Sequence, residues 1–325
     1  MRVGIVGCGL IGKKRAESIG RTASITVCCD LDVERAQALA SAHHADATGD
    51  WRAAVARSDV DVIVVCVTHD LLAEIAASAV SYGKHVLIEK PGARRAAELD
   101  QVCTASQRTG ALVRIGLNHR YHRAALQAKD ICDSGVLSDL MFVRGRYGHG
   151  GRPGYEREWR FMPERSGGGE AIDQGMHLID LASWFLGDLK LICGRAPNYF
   201  WDGPVEDNAF LLLETSSKQV AFLHASWTEW KNLFSIEIAG RKGKLELTGL
   251  GGSYGTERLT HYQMLPEMGP PQTTIYEYPM PDNSWEMEWA DFMNDIRLRR
   301  RPEPGIKEAQ AALMIIEQLY STSRP

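Results

Sequence analysis

Three polar residues interrupt an otherwise apolar helical run between Gly167 and Gly187: Asp173, His177 and Asp180. Spacings of four and then three residues place them on one helical face. An imidazole titrates near neutrality, and a carboxylate one turn away can orient it and stabilise its charged form. That pair suits a general base taking a hydroxyl proton. The same trio admits two other readings: a buried His–Asp pair with a structural role only, and a metal site formed by all three side chains. A second chemical residue is Lys90, in Glu89-Lys90-Pro91 directly after the strand-like HVLI. An ammonium there can stabilise a developing alkoxide; a lysine in a surface loop is the ordinary alternative.

These residues need a frame to hold them. From residue 1 to about 118, short β-branched runs alternate with helical patterns. VGIV (3–6), SITVCC (24–29), VDVIVVCV (60–67), HVLI (85–88) and ALVRIGL (111–117) read as strands. Helical patterns over 10–19, 32–42, 71–81 and 95–108 separate them. Near-continuous apolar strands spaced by helices predict a parallel sheet covered on both faces, a doubly wound α/β domain. In such a sheet ligands sit beyond the carboxyl ends of the strands, which is where Lys90 falls.

The first strand runs straight into Gly7-Cys8-Gly9-Leu10-Ile11-Gly12, a G-x-G-x-x-G pattern that opens a helix. Strand before and helix after are the context that gives this pattern weight. The first glycine allows the turn, the second lets the backbone approach a pyrophosphate, and the third lets helix and strand pack closely. The helix N-terminus favours the phosphate charge. Asp30 ends the second strand, where an acid can bond ribose hydroxyls and repel a 2′-phosphate. The pattern therefore favours NAD over NADP; a tight turn with no ligand is the alternative.

After residue 120 a helix near 121–134, a strand near 138–149 and a glycine- and arginine-rich loop lead into the His177 helix. Strand-like runs follow near 190–200, 207–215, 219–229, 233–240 and 243–248, with two more between 257 and 279. Helices near 284–299 and 305–322 close the chain. Successive strands with short turns predict an α+β second domain on an antiparallel sheet. The expected division is residues 1–118 and 119–325, and the last helix can pack back on the first domain.

Composition narrows the function. A net charge of -4 gives no basic excess to draw nucleic acid or an anionic membrane. No apolar run approaches the length of a membrane span. The seven cysteines form no C-x-x-C pair, which fits a reducing compartment without disulfides or a zinc cage. The expectation is a cytoplasmic protein.

Four stretches together resemble the Gfo/Idh/MocA family of NAD(P)-dependent sugar and cyclitol oxidoreductases: GIVGCGLIG, GKHVLIEKP (83–91), GLNHRYH (116–122) and GGGEAIDQGMHLIDLASWFLG. The resemblance implies a Rossmann domain followed by a domain on a large, open, mostly antiparallel sheet that mediates homodimers or homotetramers. It implies that Lys90, Asp173 and His177 are catalytic, with the histidine as acid/base and Asp180 structural. It implies that Thr68 and Glu89 border the cofactor with Lys90, and that Asn118 and His119 join the substrate site. One stretch departs from the family pattern T-P-x-x-x-H: His69 stands at the proline position and Ala73 at the histidine position.

The substrate expectation rests on the loop before the His177 helix. Arg144, Arg146, Arg152, Arg157, Arg160 and Arg165 crowd it, with Tyr155 and Trp159 among them. Guanidinium forks suit phosphates, and aromatic faces suit sugars or bases. This favours a nucleotide sugar such as a UDP-hexose, oxidised to a 3-keto product, with Tyr155, Trp159 and Arg160 as contacts. Arg–Glu pairing in a solvated loop is the alternative, and inositol or a free sugar is the alternative substrate. A non-catalytic NAD-binding regulator and an NAD-dependent glycosidase are further readings; the retained Lys90, Asp173 and His177 disfavour the regulator.

Overall fold

The computed structural model describes residues 1–20 and 22–323. Six strands of the N-terminal part make one parallel sheet among the described residues: β1 (Arg2–Val6), β2 (Ser24–Cys29), β3 (Asp46–Thr48), β4 (Val62–Val65), β5 (His85–Glu89) and β6 (Val113–Gly116), in the order β3-β2-β1-β4-β5-β6. Helices α1 (Leu10–Ile19), α2 (Val33–His43), α3 (Trp51–Ala56), α4 (His69–Ser81) and α5 (Asp100–Thr109) connect them. The strands are apolar on both faces because both are covered: all four residues of β4 are fully buried. Local signals fix the helix ends. Asp32 accepts the Arg35 N–H at the start of α2, and Gly110 takes the left-handed conformation that stops α5.

The later chain holds α6 (Arg123–Asp133), β7 (Leu140–Gly148), the single turn α7 (Pro163–Ser166), a π-helical turn at Ala171–Gly175 and α8 (Met176–Leu186). Then come β8 (Leu189–Arg195), β9 (Asn208–Thr215), β10 (Val220–Ser226), β11 (Leu233–Gly240), β12 (Gly243–Thr248), β13 (Glu257–Gln263) and β14 (Gln272–Tyr278). With β7 they form an eight-stranded sheet, β14-β13-β12-β11-β7-β10-β9-β8. Its pairs are antiparallel except β7 with β10. Helix α8 packs against β7 and β10, closely enough that a Cβ at Gly145 would stand 3.2 Å from Leu178. Helices α9 (Ser284–Leu298) and α10 (Ile306–Ser323) end the described chain. Among the described residues no helix is long and apolar enough to cross a membrane.

The chain divides into two compact units. The first is Met1–Leu117 with Glu164–Gly167 and Trp285–Ala311; the second is Asn118–Pro163 with Gly168–Ser284 and the residues from Ala312 on. A single cut near residue 118 is therefore too simple. Trp289, Phe292 and Ile296 of α9 are core residues of the first unit, packed with Ile5, Val64 and Leu87. Their spacing of three and four residues puts all three on one face of α9. Among the described residues β3, α3 and the single turn α7 have no counterpart in the sequence pattern, each being too short for a period to show.

The first unit also encloses a charge. Arg15 of α1 is 1% exposed and lies between two buried carboxylates, Glu89 and Glu288, each at 2.5 Å. A Cβ at Gly116 would come within 2.4 Å of the Arg15 guanidinium, so β6 needs glycine there. Removing one partner of a buried pair leaves uncompensated charge. We expect Glu288→Ala to lower unfolding free energy by about 3–5 kcal/mol in urea titrations. A change below about 1 kcal/mol would show that Glu89 alone neutralises Arg15.

Candidate active site

Each unit carries its own share of the candidate residues. In the first unit, the loop Gly7–Gly12 follows β1 and opens α1. Gly7 has φ +96, and a Cβ there would stand 2.1 Å from the Cys66 carbonyl oxygen; one at Gly12 would stand 1.9 Å from that of Gly7. Both positions admit only glycine. Gly9 is different: a Cβ there would meet nothing within 4 Å. The backbone at Gly9 borders open space at the N-terminus of α1, which has no side-chain cap on its N–H groups. This is the form of cradle that a pyrophosphate would need, open space bordered by backbone donors. The dinucleotide expectation fits the residues present.

Neighbouring side chains complete the cradle. The Asp30 carboxylate accepts the Cys8 N–H at 2.7 Å and the Asp32 N–H at 2.9 Å, tying the glycine loop to the end of β2. A carboxylate has about four acceptor sites, so capacity for ribose hydroxyls remains. The Cys8 thiol instead donates inward to the Cys29 carbonyl at 3.4 Å, so Cys8 offers the cradle its backbone alone. Leu10 is 72% exposed at the first position of α1, beside half-buried Ile11. Thr68 precedes α4 and donates its hydroxyl to Asp70 at 2.6 Å. His69, at the position where the family pattern has proline, is buried and donates from Nδ1 to the Ser166 carbonyl at 2.8 Å.

Glu89, expected beside the cofactor, turns inward to Arg15. Half-buried Lys90 comes directly after β5, at the carboxyl edge of the sheet. It stands two strands from β1, about 10 Å at the usual strand spacing.

In the second unit, the expected single face of Asp173, His177 and Asp180 is not a regular one. Asp173 lies in the π turn Ala171–Gly175, and α8 begins only at Met176. A π turn bonds i to i+5 and shifts the phase of the helix beyond it; such turns often mark functional sites. The two carboxylates are each neutralised by a different arginine. Asp173 accepts from Arg160 Nε at 3.0 Å, while Asp180 takes a two-pronged pair from Arg120, at 2.8 and 2.6 Å. Asp180 thus anchors α8 to the segment after β6. Among the described residues no group of three His, Cys, Asp or Glu side chains is placed to hold a metal ion.

His177 is 5% exposed, and its ring stacks on that of His119 with centroids 3.7 Å apart. Asn118 braces His119 from Oδ1, 3.3 Å from Nδ1, and donates to Ser284 at 2.8 Å. Tyr147, at the end of β7, stands edge-on to His177 at 6.2 Å and contacts His119 at 5.2 Å. Burial pushes the Tyr147 phenol well up, with Tyr254, Glu170 and Asp173 adding to the shift, so it remains a neutral donor. Tyr147 and Arg120 are absent from the sequence expectation. The inward alternation of Val143, Gly145 and Tyr147 along β7 is the signal that exposes the first; no local pattern exposes the second.

The arginine loop departs from its expectation. Arg152 pairs with Glu158, Arg157 with Glu156, and Arg160 with Asp173 and Glu158. Arg144 pairs with Glu237, its cross-strand partner on β11. Most of the guanidinium charge is answered by the protein's own carboxylates. Tyr155, expected to face a sugar, is 2% exposed and enclosed by Phe161, Trp201 and Trp227. It is a core residue. Trp159 is half-buried beneath Arg160, whose guanidinium carbon lies 4.8 Å from its ring centroid.

Residues 1–117 match the model of an oxidoreductase family with an NAD-binding Rossmann fold, and residues 125–246 match the C-terminal domain model of the same family. The chain belongs to the Gfo/Idh/MocA family. An inositol 2-dehydrogenase of Salmonella typhimurium is 29% identical over 194 residues, 58% of this chain and 55% of the relative. The chain thus spans about half the length of the first curated relatives it matches. A D-glucoside 3-dehydrogenase of Escherichia coli is 29% identical over 270 residues, 74% of this chain and 75% of that protein. A solved levoglucosan dehydrogenase, in complex with NADH and levoglucosan, superposes with a TM-score of 0.89 at 22% identity, covering 99% of this chain and 98% of that one. At that identity the likeness shows the fold.

The open space at Gly9 separates cofactor binding from folding. We expect Gly9→Val to leave the melting temperature within about 2 °C while weakening NAD at least about tenfold, because only a bound pyrophosphate contests the space. Fluorescence titration with NADH beside a thermal melt checks it; equal affinity in both proteins removes Gly9 from the cradle. We expect Asp30→Ala to narrow the preference for NAD over NADP, read from the ratio of the two dissociation constants.

Proposed function

We propose that this protein is an NAD-dependent dehydrogenase of a free sugar or cyclic polyol, oxidising a secondary alcohol to a ketone. The observation that carries the reading is the retention of Lys90, Asp173 and His177 together in a chain of this family. NAD, when bound, supplies the hydride acceptor; the Gly7–Gly12 loop and Asp30 are the residues that would hold it. The chain's own side chains manage the proton. His177 takes it from the substrate hydroxyl, and the Lys90 ammonium stabilises the oxygen as negative charge develops. Asp173, already joined to Arg160, ties down the π turn that leads into α8, the helix that carries His177.

The nucleotide-sugar expectation gives way to this reading on two grounds. Four of the six arginines meant to meet a diphosphate, Arg144, Arg152, Arg157 and Arg160, are paired with Glu237, Glu158, Glu156 and Asp173. The relatives bear the names of inositol, glucoside and levoglucosan dehydrogenases. The fold itself does not fix a substrate, so the ring and its carbon are assigned by assay.

A panel of inositols, free hexoses, glucosides and UDP-hexoses with NAD, followed by NADH absorbance, tests the class. Turnover with a polyol or unphosphorylated sugar supports it; turnover confined to UDP-sugars overturns it. On the substrate that works, Lys90→Ala and His177→Ala should each lower kcat at least about a hundredfold, in the range of acid–base groups. Activity within a few-fold of the unaltered protein removes either residue from the chemistry.

A further inference from the structure

Glu206, in the loop before β9, has no part in the chemistry above, yet its side chain is buried among the residues that begin the His177 helix. Oε2 accepts the Gly169 N–H at 3.0 Å, and Oε1 accepts the Ala171 N–H at 3.0 Å. The Tyr320 hydroxyl, from α10, donates to Oε1 at 2.7 Å. The Glu206 carbonyl also accepts the Glu170 N–H at 3.1 Å. One residue thus takes the N–H groups of three consecutive positions, 169 to 171, immediately before Asp173.

The glycines there are shaped by this contact. A Cβ on Gly169 would stand 2.0 Å from the Glu206 carbonyl oxygen, and one on Gly168 would stand 2.0 Å from the Tyr320 hydroxyl. Two glycines in a row cost backbone entropy, and here they let the chain press against a carboxylate and a phenol. The Gly169 carbonyl then accepts the Asp173 N–H at 3.1 Å, which passes the constraint to the π turn. First-turn N–H groups have no partner within their own helix, and a buried carboxylate is a strong acceptor for them.

We propose that Glu206 is a positioning residue for His177: its carboxylate, completed by Tyr320, clamps Gly169 and Ala171 and so sets the angle at which the π turn holding Asp173 leads into α8, where His177 stands. The role rests on the proposed dehydrogenase function. Burial pushes the Glu206 carboxyl up to about 7, against the pull of the Tyr320 hydroxyl and the backbone N–H groups of Glu206, Ala171 and Gly169. The clamp is a costly arrangement to keep for packing alone, since an apolar side chain would fill the space without desolvating a carboxylate.

Three variants of the full chain test it: Glu206→Gln, Glu206→Ala and Tyr320→Phe. The glutamine keeps one acceptor but turns an amide N–H₂ toward a backbone donor, so it should rescue part of the alanine defect. Small misplacements of a catalytic group can cost about a hundredfold. We expect kcat to fall about a hundredfold in Glu206→Ala, about tenfold in Glu206→Gln and a few-fold in Tyr320→Phe, with KM and NADH affinity within about twofold. Amide hydrogen exchange at 169–172 should quicken at least about tenfold in Glu206→Ala and be unchanged in β1 and β4.

Turnover within about twofold in Glu206→Gln and Tyr320→Phe, or unchanged exchange at 169–172 in Glu206→Ala, overturns the proposal. So does a loss of kcat matched by equal losses of NADH affinity and melting temperature, which would be a general structural defect. If the unaltered protein turns over no polyol or sugar, the function reading fails by itself, and the exchange rates still decide whether Glu206 clamps the turn.

Discussion

A guanidinium keeps its charge even when sealed from water, so burying it without counter-charges is costly, and Arg15 is such a group. Its position in α1 ties it to the glycine loop that opens that helix. One neutralising carboxylate, Glu89, is the last residue of β5 and adjoins Lys90; the other, Glu288, is on α9. The demand for charge compensation therefore joins three stretches distant in sequence: the nucleotide cradle, the strand end that presents the lysine, and a helix from near the end of the chain. Replacing such a network with apolar residues is often neutral or stabilising elsewhere. Here it fixes geometry as well as energy, because the fork on Arg15 specifies where β5 and α9 must stand relative to α1.

The second unit solves the same problem with different residues. Buried carboxylates at Asp173 and Asp180 each receive a separate arginine, and Glu206 receives backbone N–H groups and a phenol. Each partner comes from another element: the loop before α7, the turn after β6, the C-terminal helix. The helix carrying His177 is thereby held at its entry, along its length and through the stack with His119. The imidazole is the group whose placement benefits, held against the rings of His119 and Tyr147.

Much of this is legible in the residues. Parallel strands announce themselves because burial on both faces leaves long apolar runs, as in β4, and the G-x-G-x-x-G loop is readable because sterics at Gly7 and Gly12 admit one residue type. Whatever depends on partners far along the chain is not. Arg160 reads as a phosphate ligand within its loop, but Asp173 takes it; Tyr155 reads as a sugar platform, but Trp227 and Phe161 enclose it. The π turn is invisible because one extra residue in a helical turn leaves the apolar pattern almost intact. Glu89 reads as a cofactor neighbour because its motif is local, whereas Glu288, which shares Arg15 with it, is 199 residues away.

The placement of α9 has a consequence for biosynthesis. Chains emerge from the ribosome N-terminus first, and domains ordinarily fold in that order as units. The first unit cannot complete its interior on this schedule. Trp289, Phe292 and Ile296 are missing from it until synthesis has passed the eight-stranded sheet, and so is the second counter-charge for Arg15. The nascent sheet must wait with an open apolar flank while the eight-stranded sheet is synthesised. The unit that begins first is among the last to finish, and its early strands are the ones a chaperone would have reason to shield.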